Sequence, residues 1–134
     1  MKYYALHLTA AELAMIEEAT TAALEELGHT TISDPHRFAD AKISEDLMDA
    51  LLEQVYDAAD SAGPEDSHTV LVLTEELREV GRTLLTAASS ALGERSLAAQ
   101  EDGKIAEAAL LLAQATLARS VELRLTVGAI EREE

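Results

Sequence analysis

Two stretches of the chain share one arrangement of apolar and polar positions: an alternating run, a threonine, then an acidic amphipathic segment closing on glycine, over Tyr3 to Gly28 and His68 to Gly93. Each reads as strand, cap and helix. In the first, Tyr4, Leu6 and Leu8 alternate with Tyr3, Ala5 and His7. Thr9 stands three residues before Glu12, the spacing at which side chain and backbone donors satisfy each other in a capping box. Leu13, Ile16, Ala23 and Leu27 then fall on one helical side, and Gly28 is placed to stop the helix. In the second, Val70 to Leu73 precede Thr74, and Leu77, Val80, Leu84, Ala88 and Leu92 step by three or four. Aligned at an offset of 65, the two stretches share eight identities in 26 positions.

Two further helices are expected. Asp34 and Pro35 open a short turn, with Pro at a first helical position, and Ser44 caps a longer helix that ends at Gly63 and Pro64. Its apolar side is Leu47, Leu51, Val55, Ala58 and Ala62. The last helix runs from about Lys104, or from Ser96 if Gly103 is tolerated at roughly 1 kcal/mol, to Arg119. Leu110, Leu111, Leu112 and Leu117 point in different directions around it, so it needs cover on nearly every side. Beyond it Val121, Leu123, Leu125 and Val127 alternate with Glu122, Arg124 and Thr126, which predicts a third strand over 120–127 in preference to continued helix. Gly81 sits inside a helix, which predicts close approach by a neighbour, the last helix being the candidate. The predicted fold is α+β and predominantly helical, four principal helices on a small two- or three-stranded sheet with a strand-helix-helix duplication, all-α being the alternative. One domain, 1–134, is expected, with pseudo-repeats 3–63 and 68–127.

Composition narrows the chemistry. The chain has 134 residues, no Cys, no Trp, and 26 acids against 10 bases, a formal charge of −16. Thiol catalysis, zinc-thiolate sites and disulfides are excluded. Direct binding to nucleic acid or anionic lipid is opposed by the charge. Neither a signal peptide nor an apolar stretch of about 20 residues is found, so a soluble, cytoplasmic protein is expected. Abundant Ala and Leu, with Arg over Lys, point to a bacterial or phage source. The acids concentrate in the first half, which makes that half the acidic pole.

Asp46, Asp49, Glu53, Asp57 and Asp60 line one side of the Ser44 helix, opposite its apolar side. Over about 21 Å they place a carboxylate every four to five ångströms, sparser than but comparable to the phosphates of one DNA strand. The bland reading, a solvated face of an acidic protein, stands beside the sharp one, a phage or bacterial inhibitor that mimics nucleic acid to block a basic nucleic-acid-binding protein. Asp46/Asp49, Asp57/Asp60 and Glu76/Glu79 also pair acids one turn apart, as Mg²⁺-dependent phosphate-ester chemistry requires, yet cations to hold substrate phosphates are scarce. His29, Asp34, His36 and Asp40 around a loop, and His68 beside Asp66 and Ser67, lack the spacing of a metal or triad motif. The six glycines form no phosphate cradle, and no cofactor is expected.

The sequence therefore carries no catalytic residue set. It supports a small acidic protein-interaction module that forms a homodimer through the last helix, with Leu111 and Leu112 at the interface and Ala109 and Ala113 allowing close approach. Partners are expected to be protein, with a basic surface where the acidic stripe is the contact.

Overall fold

A computed structural model of the chain describes the backbone at 2–30, 35–61 and 69–133, and side chains at 2–25, 46–60 and 69–131. The element order is β1 (Lys2–Leu8), α1 (Ala10–Thr30), α2 (Pro35–Ser61), β2 (Thr69–Thr74), α3 (Glu75–Glu101), α4 (Ile105–Leu123) and β3 (Ile130–Glu133). The α+β, predominantly helical class is the one that the periodicities predict. The strands form one antiparallel sheet in the order β2-β1-β3.

Alternation decides the two principal strands. Tyr4, Leu6 and Leu8 of β1 lie beside Leu71 and Leu73 of β2 on the sheet face that the helices cover, and all five are buried. Both predicted caps form. The Thr9 amide donates to the Glu12 carboxylate at 2.9 Å and the Glu12 amide donates to the Thr9 hydroxyl at 3.2 Å. Thr74 accepts from the Leu77 amide at 3.3 Å and starts α3 in the same way. The main core joins Leu13 and Ile16 of α1, Leu51 and Val55 of α2, Leu85 of α3 and Ala118 and Val121 of α4 to the sheet.

Helix ends depart from the glycine punctuation. α1 continues through Gly28 to Thr30, and α3 continues through Gly93 to Glu101. The stop falls at Gly103 instead, whose φ of +77° is the left-handed cap conformation. The Lys104 amide there returns to the Ala99 carbonyl at 2.8 Å. Ser44 starts nothing: α2 is one helix from Pro35, so the short turn and the longer helix are continuous. Asp34 and residues 62–68, with Asp66, Ser67 and His68, lie outside the described residues, as do the side chains of His29, His36 and Asp40.

The expected strand over 120–127 is helical. α4 runs to Leu123 and passes into a π-helical turn, Arg124–Gly128; the third strand comes later, at Ile130–Glu133 on the other edge of β1. Val121 and Leu125, four apart, are buried, whereas Leu123 and Val127 are exposed, so the 3.6-residue period governs what resembled alternation. A wider turn re-registers backbone hydrogen bonds, and Arg78 serves this one directly. Its guanidinium lies 4.0 Å from the centre of the Tyr4 ring and donates to the Leu125 carbonyl at 3.2 Å. Leu125 is also the neighbour that fixes Gly81: a Cβ there would stand 3.3 Å from its Cδ1. On the β3 edge, Lys2 pairs with Glu131 at 3.1 Å. The hydrogen bond and charge of Glu131 hold the Lys2 ammonium pKa above its ordinary value.

Candidate interaction surfaces

The α3–α4 hairpin reaches beyond the main core and has a small core of its own, Ala99, Ala108 and Leu111 with Leu92 packed against it. Small residues bring the two helices together closely enough for side chains to bond to the opposite backbone. Ser96 donates to the Ala108 carbonyl at 2.7 Å and Ser89 to the Ala115 carbonyl at 3.2 Å. Leu111 is therefore buried inside its own hairpin, not displayed. The outer face of α4 is a different set. Ile105, Leu110 and Leu112 are 63%, 61% and 58% exposed, and Ala106, Ala109 and Ala113 lie exposed among them. From residue 105 to 118 the only charged side chain is Glu107. Of the four interface residues expected from sequence, Leu112, Ala109 and Ala113 share this open face.

All five carboxylate side chains of the acidic stripe, Asp46, Asp49, Glu53, Asp57 and Asp60, are exposed on α2. Met48, Leu51, Val55 and Ala58 on the same helix are buried. An amphipathic helix with its apolar side in the core must turn this row to water, and α2 does so. Ion pairs occur within α3, as in Arg82–Glu79 at 2.8 Å, and between the π turn and α1, as in Arg124–Glu12 at 3.1 Å.

Two surfaces had no signal in the one-dimensional pattern. Between the described part of α2 and the start of α3 lies a groove of about 720 Å³. Leu47, Met48, Val80 and Leu84 give it apolar walls, and Glu75, Glu76 and Glu79 line it with carboxylates. The other surface is the outer face of the sheet, where Ala5 has Val72 on one side and Ile130 on the other. Val72 and Ile130 are exposed there, together with Val70.

Among the described residues no group of three or more His, Asp or Glu side chains is close enough to hold a metal ion. Asp46/Asp49, Asp57/Asp60 and Glu76/Glu79 remain pairs, and Arg82 already engages Glu79. Among the described residues no helix is long and apolar enough to cross a membrane. Comparison with protein-family models, with curated proteins and with solved structures yields no match.

Proposed function

We propose that the protein is an interaction module that self-associates through the open face of α4. The observation that carries this reading is the run of exposed Ile105, Leu110 and Leu112, nearly free of charge, on a chain of −16. Charged side chains are the usual occupants of an exposed helix face, and their near-absence over fourteen residues favours a covered state. Ala109 and Ala113 leave room for a second helix at the 8–10 Å axis spacing of packed pairs. Two hairpins joined this way make a four-helix arrangement with the same patch on both copies. Sedimentation equilibrium of the full chain and of Leu112→Lys tests it.

The exposed stripe on α2 supports a second reading, a mimic of nucleic acid that occupies a basic groove on another protein. Attraction of that kind is long-range and screened by salt. Replacing Asp49, Glu53 and Asp57 by Lys is expected to weaken capture of a basic partner and flatten its salt dependence. The same number of reversals at Glu131, Glu133 and Glu134 is expected to matter far less. Equal weakening by both sets reduces the effect to bulk charge and removes the mimicry reading.

A further inference from the structure

The groove between α2 and α3 is separate from the α4 face and from the outward row of α2, and its two chemistries point at one kind of occupant. We infer that it docks a basic amphipathic helix of another protein. Its apolar walls, Leu47 and Met48 from α2 and Val80 and Leu84 from α3, call for an apolar stripe on the guest. Among the described residues its carboxylates come from α3. Glu75 and Glu76 each stand about one turn from Glu79, which Arg82 already engages, so the matching cations of the guest belong on one flank, against Glu75 and Glu76. The charge of Glu75 and Glu76 at the start of a helix is accounted for by the helix dipole. The half-buried Leu47 and Val80 beside them, over the buried Met48 and Leu84, are not, and this apolar floor makes the carboxylates a rim.

The lining from Glu75 to Leu84 covers about 13 Å of α3, two and a half turns, which suits a helix presenting anchors at i, i+3 or i+4, and i+7. The volume, about 720 Å³, is that of a cleft able to enclose several side chains. A second copy of this chain does not meet the charge requirement. Its closest-spaced bases, Arg78 and Arg82, stand on α3 itself, and no other two of its ten bases are fewer than five residues apart. The guest is therefore a different chain, rich in Lys or Arg along one side of an apolar stripe.

The probe is a labelled 18-residue peptide of Leu, Ala and Lys, with Leu at heptad a and d positions and Lys on one flank, titrated against the full chain by fluorescence anisotropy. A scrambled peptide of identical composition is the comparison. Micromolar binding is expected, at least tenfold tighter than the scrambled peptide and weakened by added salt. Glu75→Gln with Glu76→Gln is expected to weaken it tenfold or more. Val80→Thr, nearly isosteric, keeps every charge and is expected to weaken it several-fold, so a groove effect is readable even if the double variant loses its fold in a melting curve. Asp49→Gln with Glu53→Gln, which removes the same charge from the outward row, is expected to change binding less than twofold. Equal binding of the scrambled peptide, equal loss in the two double variants, or no binding at 100 μM peptide overturns the proposal. None of these outcomes depends on whether α4 self-associates.

Discussion

Glu12 shows how much one side chain can join. Its carboxylate accepts from the Thr9 amide at the start of α1 and from Arg124 Nη1 at 3.1 Å in the π turn, residues more than a hundred apart in sequence. Arg124 in turn donates to the His7 carbonyl of β1 at 2.8 Å. A carboxylate this buried is tolerated because each partner is a donor. Glu12→Ala removes the cap and leaves Arg124 without its counter-charge, and is expected to cost about 2–3 kcal/mol; Glu12→Gln keeps an acceptor for the amide and is expected to cost about 1 kcal/mol. Urea unfolding of the two variants measures both. Equal losses would show that the charge pair, not the cap, carries the whole contribution. The capping role was legible from Thr9 and Glu12 alone because it is local. The link to Arg124 was not, because it exists only after α4 has folded back on β1.

Among the elements, glycine gives the clearest division between local and tertiary control. Gly93 lies within α3 with nothing inside 4 Å of an added Cβ, whereas Gly103 has the same open surroundings but a φ of +77°. The same substitution is therefore expected to act with opposite sign: Gly93→Ala stabilises by about 0.5–1 kcal/mol, and Gly103→Ala costs about 1–2 kcal/mol. Thermal unfolding checks the pair, and a shared sign would contradict the placement of the α3 terminus. Sequence favoured Gly93 as the stop because it matched Gly28 in the aligned stretch, yet both helices continue through those glycines. Periodicity failed again at 120–127, where residues two apart also include pairs four apart, Val121 with Leu125 and Leu123 with Val127. Burial of the first pair against the core separates the two readings, and burial is not written in the order of residues. β3 carries one apolar residue in Ile130–Glu133, so its strand form comes from pairing with β1. The stripe of α2 needed only the helical period and was legible, whereas the groove needs α2 set against α3.

For the whole molecule, the main core is built from the sheet face bearing Leu6, Leu8, Leu71 and Leu73 and the helices packed on it. Among the described residues, most of the large apolar side chains left exposed lie on the outer sheet face, as Val70, Val72 and Ile130, and on the far half of the α3–α4 hairpin, as Leu97, Ile105, Leu110 and Leu112. On that half, two helices alone enclose Leu92, Ala99, Ala108 and Leu111, and a two-helix layer leaves an outer face on each. The α4 face is the more specific of the two exposures, since it combines large side chains with alanines. Self-association through it must work against repulsion between two chains of −16, which sets the direction of its salt response. Screening lengths fall from about 30 Å at 0.01 M salt to about 8 Å at 0.15 M, so added salt should tighten an apolar dimer and loosen one held by ion pairs.

Sedimentation equilibrium at tens of micromolar protein, at low and physiological salt, with Leu112→Lys in parallel, therefore tests the central claim most directly. The lysine lowers the repulsive charge of each chain, so bulk electrostatics alone would strengthen association. The account predicts a wild-type dimer that tightens with salt and a Leu112→Lys chain that is monomeric yet folds cooperatively, with a melting temperature that no longer depends on protein concentration. A wild-type monomer throughout that range, or a dimer indifferent to Leu112→Lys, would contradict it.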